Sequence, residues 1–197
     1  MHEGRIATAQ FLGGAKPQLA WTDRRLLEAF DRLCRQWGDT IRISGAFRAL
    51  ADHVHTGQSL HYAGLALDIG SGLPAAEREA LRRQCVQSGD WDYVDPAHIA
   101  PTWIHVQMQL EPPAQPYFGY PKLQMEAQSV YVCVLQELLR LNGSYRGMPD
   151  GVFGPMTLNA FKDFQIKSGL APQEFVNATL WRALFRAHNE ARKQAGE

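Results

Sequence analysis

Two periodicities divide the chain. In the first half, Leu26, Leu27, Phe30, Leu33, Cys34 and Trp37 recur every three or four positions. That spacing predicts a helix with one apolar face, capped by Thr22 and ended by Gly38. IRIS, Ile41 to Ser44, reads as a short strand, and Pro74 opens a second helix that ends near Gly89. LALDI, Leu65 to Ile69, and WIHVQMQL, Trp103 to Leu110, read as further strands. In the latter, Ile104, Val106, Met108 and Leu110 share one face, and Trp103, His105, Gln107 and Gln109 share the other. Residues 1–110 are therefore expected to form an α+β domain, a small antiparallel sheet with flanking helices.

Periodicity lapses over residues 111–126, where EPPAQPYFGYP (Glu111 to Pro121) carries four prolines and a glycine. That composition predicts an extended linker or a strap over a surface. From 127 to 197 the period is 3.6 throughout. Val134, Leu135, Leu138 and Leu139 stripe one helix, which Asn142 and Gly143 end. DGVFG (Asp150 to Gly154) is a turn, and Pro155 begins a helix carrying Ala160, Phe161 and Phe164, ended by Gly169. Asn177 caps a third helix with Leu180, Trp181, Leu184 and Phe185. The expected second domain is a three-helix module, with those aromatic and leucine residues in its core.

Composition narrows the function classes. The 197 residues are 45% hydrophobic and 20% charged, with a formal net charge of zero. A nucleic-acid footprint needs clustered Lys and Arg, so none is expected. No apolar run approaches the ~20 residues of a membrane span, and the opening MHEGRIATAQ does not read as a signal peptide. Cys34, Cys85 and Cys133 are odd in number and far apart, which predicts buried thiols rather than a disulfide framework or a thiolate metal site.

Chemistry concentrates in SLHYAGLALDIG, Ser59 to Gly70. His61 lies just before Gly64 in a loop, Asp68 alternates with apolar residues in a strand, and His105 is a polar residue on another strand. Two imidazoles and a carboxylate suit a catalytic zinc, which takes three protein ligands and leaves a position open. From spacing alone, a hydrogen-bonded His–Asp pair of purely structural use is the other reading.

The wider pattern is more specific. Ser59 to Asp68 reads S-x-H-x-x-G-x-A-x-D, Ser44-Gly45-Ala46-Phe47-Arg48 precedes it as S-G-x-x-R, and Trp103-Ile104-His105-Val106 follows. From Trp21 to Leu110 the chain resembles the zinc D-Ala-D-Ala carboxypeptidases and the phage L-alanyl-D-glutamate endolysins, whose fold the hedgehog signalling domains share. The resemblance implies zinc on His61, Asp68 and His105, and implies that Arg48 grips a substrate carboxylate or carbonyl. Ser59, Trp103 and Gln107 become candidate substrate contacts, while His53 and His55 are read as loop-surface residues. Relatives place an acid–base residue two or three positions before the last ligand, where this chain has Trp103 and Thr102. Some also carry aspartate where Gln107 stands. Asp95 and His98 are the nearest proton-carrying candidates, and His98 is the favoured catalytic residue.

Leu135-Gln136, Asp150-Gly151, Phe153-Gly154, Thr157, Ala160, Phe164-Gln165, Gly169-Leu170 and Thr179-Leu180-Trp181 are similar in order to the three-helix peptidoglycan-binding module, over Gln128 to Ala187. Tyr145 and Arg146 are candidate ligand contacts there. The two resemblances together imply a monomeric zinc peptidase of peptidoglycan stem peptides, anchored to the wall by its C-terminal module. The alternative is a catalytically silent wall-binding protein that keeps its zinc. Either implies a bacterial envelope location, or the cytosol before release for a phage lysis enzyme.

Overall fold

The structure, a computed structural model, describes residues 6, 8–12, 19–52, 57–115 and 118–195. His53 and His55 lie outside the described residues. A short helix, α1 (Thr8–Leu12), precedes α2 (Arg24–Trp37). The cap of α2 is Asp23, whose carboxylate accepts from the Arg25 N–H at 2.9 Å, and Gly38 ends the helix in the left-handed conformation. Thr22 is not the cap because its hydroxyl is engaged elsewhere, donating to the Gly64 carbonyl at 2.6 Å.

Four short strands follow: β1 (Ile43–Gly45), β2 (Ala66–Ile69), β3 (Tyr93–Val94) and β4 (Ile104–Gln107), with α3 (Ala75–Ser88) between β2 and β3. They form one antiparallel sheet in the order β1-β2-β4-β3. Pairing of β2 with β4 sets Leu67 against Val106 and Ile69 against Ile104 on one face. These four residues share a core with Leu26, Phe30 and Leu33 of α2 and Leu81 and Cys85 of α3. Ala66 and Asp68, with their partners Gln107 and His105, take the opposite face. The strand expected over Trp103 to Leu110 pairs only over Ile104–Gln107, and the one expected from Ile41 starts at Ile43. β3, only two residues long, had no periodic signature in the sequence.

By contacts the chain forms two compact units, one through Asp52 and over Leu60–Leu110, the other over 57–59 and from Glu111 onward. The second unit begins with β5 (Pro113–Gln115) and β6 (Phe118–Pro121), an antiparallel pair in the segment expected to be an extended linker or a surface strap. Tyr120 explains the difference. Its ring is fully buried against Tyr131, Trp181 and Phe185, with centroids 5.2, 5.1 and 5.9 Å away. Apolar burial of that size holds the segment against the helices. β7 (Leu123–Gln124) then leads to α4 (Val130–Leu141) and α5 (Pro155–Lys167), and β8 (Phe175–Val176), which pairs with β7, leads to α6 (Ala178–Ala195). Asn177 caps α6 as expected, its side chain accepting from the Leu180 N–H at 3.0 Å. The core holds Phe161, Phe164, Leu180, Trp181 and Leu184. The architecture is mixed α and β, with small antiparallel sheets, six helices among the described residues, and a helical C-terminal module.

Candidate metal centre

Antiparallel register builds the site. Asp68 on β2 is directly opposite His105 on β4, although 37 residues separate them in the chain. A bulge in β1 sets Gly45 across from Asp68 on the other side. Beyond the end of β3, the Asp95 N–H donates to the His105 carbonyl at 2.9 Å, so Asp95 continues the row. Gly45, Asp68, His105 and Asp95 therefore run side by side across the polar face of the sheet.

His61 reaches this row from the turn 60–64. Gly64 closes the turn with φ +66°, and an added Cβ there would lie 2.0 Å from the Trp21 carbonyl oxygen. The His61 carbonyl accepts from the Arg48 N–H at 3.1 Å, and its ring Nδ1 is 2.6 Å from the Ala46 carbonyl. A carbonyl only accepts, so Nδ1 carries the proton and Nε2 presents its lone pair. That Nε2 lies 3.4 Å from Asp68 Oδ1, and His105 Nδ1 is 2.9 Å from the same oxygen. The two imidazole rings are 5.0 Å apart.

One donor atom from each of His61, Asp68 and His105 lies within 4.8 Å of the others. Zinc bonds of ~2.0–2.1 Å in a tetrahedron set ligand atoms roughly 3.3 Å apart, close to the 3.4 and 2.9 Å that separate His61 Nε2 and His105 Nδ1 from Asp68 Oδ1. Outer partners also suit such use. His105 Nε2 is 3.1 Å from Gln107 Oε1, so a proton on Nε2 leaves Nδ1 turned toward Asp68 and His61. The donor set fits a metal that prefers nitrogen and oxygen ligands.

Charge at the site follows from these contacts. Burial disfavours a charged His105, but hydrogen bonds to Asp68 and Gln107 outweigh it and raise its pKa above the usual histidine value. Burial likewise opposes the Asp68 carboxylate, yet its hydrogen bond with His105 and the neighbouring His61 ring hold its pKa well below the ordinary range. Without a metal, a proton between His105 and Asp68 serves as the counter-charge.

The remaining candidates divide. Arg48 places its guanidinium 3.7 Å from Asp68 Oδ2, and its buried Nε has no hydrogen-bond partner among the described residues. Gln107 is on the row next to His105 and holds that ring. Trp103 is 38% exposed, its carbonyl accepting from Arg82 at 3.0 Å. Ser59 falls with the second unit, where its carbonyl accepts from the Tyr120 hydroxyl at 2.6 Å. His98 is exposed in the turn 97–99, whereas Asp95 is close enough to raise the His105 pKa through its charge. The Tyr93 hydroxyl donates to the Asp95 carboxylate, which raises the Tyr93 pKa.

Three contributors escaped sequence reasoning. Gly45 has no room for a side chain, since a Cβ would sit 2.4 Å from Asp68 Oδ2 and 2.6 Å from the Arg48 guanidinium. Its place in S-G-x-x-R was the available signal. The Ala46 carbonyl has no side-chain signature at all. Arg82, buried on α3, donates to the carbonyls of Asp95, Ala100 and Trp103 and so fixes the loop leading into β4. In the second unit, Tyr145 is a core residue at 4% exposure rather than a ligand contact, while Arg146 is exposed.

Residues 129–184 match the family described as "Putative peptidoglycan binding domain". A crystal structure of the SleB N-terminal domain is similar at 37% identity, covering 36% of this chain and 97% of that one, with a TM-score of 0.35. No curated protein matches the chain. The family match supports peptidoglycan as a partner and fits association with the cell wall or envelope. No helix among the described residues is long and apolar enough to cross a membrane.

Proposed function

We propose that the first unit is a zinc-dependent peptidase of peptidoglycan stem peptides, of the D-Ala-D-Ala carboxypeptidase or L-Ala-D-Glu endopeptidase type, held on the wall by the C-terminal module. The observation that carries this reading is the convergence of His61 Nε2, Asp68 Oδ1 and His105 Nδ1, with the other nitrogen of each imidazole bonded to an outer acceptor. Zinc held there supplies Lewis-acid polarisation of a scissile carbonyl and activation of water.

The chain's own residues do the rest. Arg48 sets its guanidinium 3.7 Å from Asp68 Oδ2 at the edge of the site, with its Nε unpartnered among the described residues, and is suited to gripping a substrate carboxylate. Thr102 and Trp103 carry no group that exchanges a proton near neutral pH. Transfer to the leaving amine falls to Asp95, in the same cross-strand row as His105, ahead of the exposed His98. Gln107 keeps the proton of His105 on Nε2.

Thr102, Trp103 and Gln107 favour a second reading, a wall-binding protein whose zinc domain is silent. Zinc titration of chelated protein and release of new amino groups from purified walls separate the two. The peptidase binds one zinc per chain and releases amines only when loaded. The silent protein binds zinc and releases none. Absence of zinc binding, with His61→Ala indistinguishable from the parent, would leave both readings without support.

A further inference from the structure

The match to the peptidoglycan-binding family stops at residue 184, but α6 continues to Ala195. Along this helix Arg182, Arg186 and Lys193 are exposed. Their spacings of four and eleven residues keep all three on one side. They line a groove of about 350 Å³ that also includes Gln58, Phe185 and Glu190. Three cations face a single carboxylate there, and Arg186 and Lys193 form no ion pair among the described residues. Arg182 spends one donor on the Thr179 hydroxyl, at 3.3 Å.

The rest of the lining gives the groove its shape. Phe185, 5% exposed and packed on Tyr120, supplies an apolar floor. Gln58 is oriented by its Oε1, which accepts the Tyr120 N–H at 2.7 Å. With the oxygen so engaged, the Gln58 amide nitrogen is left with two hydrogens to donate. Donors thus outnumber acceptors, and the volume is within the ~300–1,000 Å³ common for small-ligand sites.

We propose that this groove binds the carboxylate-bearing stem peptide of peptidoglycan. The inference rests on the module's peptidoglycan binding and adds to it a location and a chemical class. The N-acetylated glycan is neutral and does not call for three cations, whereas stem peptides carry carboxylates that arginine grips bidentately. Alanine methyls of the same peptide suit the Phe185 floor.

The test is co-sedimentation of the full chain with purified walls at several salt concentrations, using native walls and walls whose carboxylates have been amidated. The variants are the triple Arg182→Gln, Arg186→Gln, Lys193→Gln and the single Arg186→Gln, each checked for an unchanged melting temperature. The proposal expects the triple variant to bind native walls about tenfold more weakly, with a shallower salt dependence. Amidation should weaken the parent by a similar factor and the variant no further. Equal sedimentation of parent and variants, or indifference of the parent to amidation, would overturn the groove. Stronger dependence on wall phosphate than on carboxylate would also overturn it, in favour of a phosphate-bearing polymer. A parent that does not sediment at all defeats the peptidoglycan reading beneath it.

Discussion

Two glycines near the site are there for different reasons, and their substitution should fail differently. Gly64 has φ +66° and its missing Cβ would collide with backbone, the Trp21 carbonyl oxygen at 2.0 Å. Gly64→Ala is expected to cost the first unit more than about 2 kcal/mol in chemical denaturation. At Gly45 the obstacles are side-chain ends, Asp68 Oδ2 and the Arg48 guanidinium. Gly45→Ala should leave the fold nearly intact, yet weaken zinc binding about tenfold or more by displacing the Asp68 carboxylate. Gln107→Leu should weaken it similarly, and Gln107→Glu should restore it. Titration of the pair gives a pH signature. The lowered Asp68 pKa contributes stability above the ordinary carboxylate range, lost as pH falls through the folded value. The raised His105 pKa contributes stability below about 6.5, lost as pH rises through its folded value. In chelator, the first unit should melt highest between about pH 4 and 6.5. With zinc the trend reverses, because the metal requires neutral imidazole; a melting temperature in chelator that falls neither above pH 6.5 nor below pH 4 would contradict the pairing.

At the level of elements, buried glutamines explain much of the module's sequence order. Gln136 of α4 is fully buried. Its Oε1 accepts from the Asp150 and Gly151 N–H groups at 2.9 and 3.0 Å, and its Nε2 donates to Asp150 Oδ1 at 2.7 Å and Thr157 Oγ1 at 2.9 Å. The DGVFG turn is therefore pinned to a helix. Gln165 does the same for the next loop, bonding both the N–H and the carbonyl of Gln173. Gln136→Leu strands the donors of that turn, and about 2–4 kcal/mol of the second unit's stability should go with it in urea unfolding. The helices of this unit were legible because a 3.6-residue period and end residues such as Asn177 and Gly169 agree. β3 was not, since two residues carry no period, and the Asp95–His105 pairing depends on it. Hence the sequence favoured His98 as proton carrier over Asp95, while the register puts only Asp95 on the row.

Across the whole molecule, the chain segment between the helical patterns was the least legible. Its prolines signalled a linker, but the burial of Tyr120 depends on residues up to 65 positions later and cannot be seen in local composition. The cysteines were legible in part: Cys85 and Cys133 are buried as expected, whereas Cys34 is half-buried. Burial raises Cys34 and Cys133 to about 11 and Cys85 to about 12. With thiolate below about one part in a thousand at pH 8, native protein should resist iodoacetamide, and denatured protein should take up three equivalents. The measurement that bears most directly on function is mass spectrometry of stem peptides incubated with zinc-loaded and chelated protein. The expected result is a fragment that appears only with zinc, whose mass identifies the bond, and that is lost with Asp68→Ala and reduced with Asp95→Asn. Intact stem peptides from a zinc-loaded protein that still sediments with walls would contradict the peptidase and leave the silent zinc domain in its place.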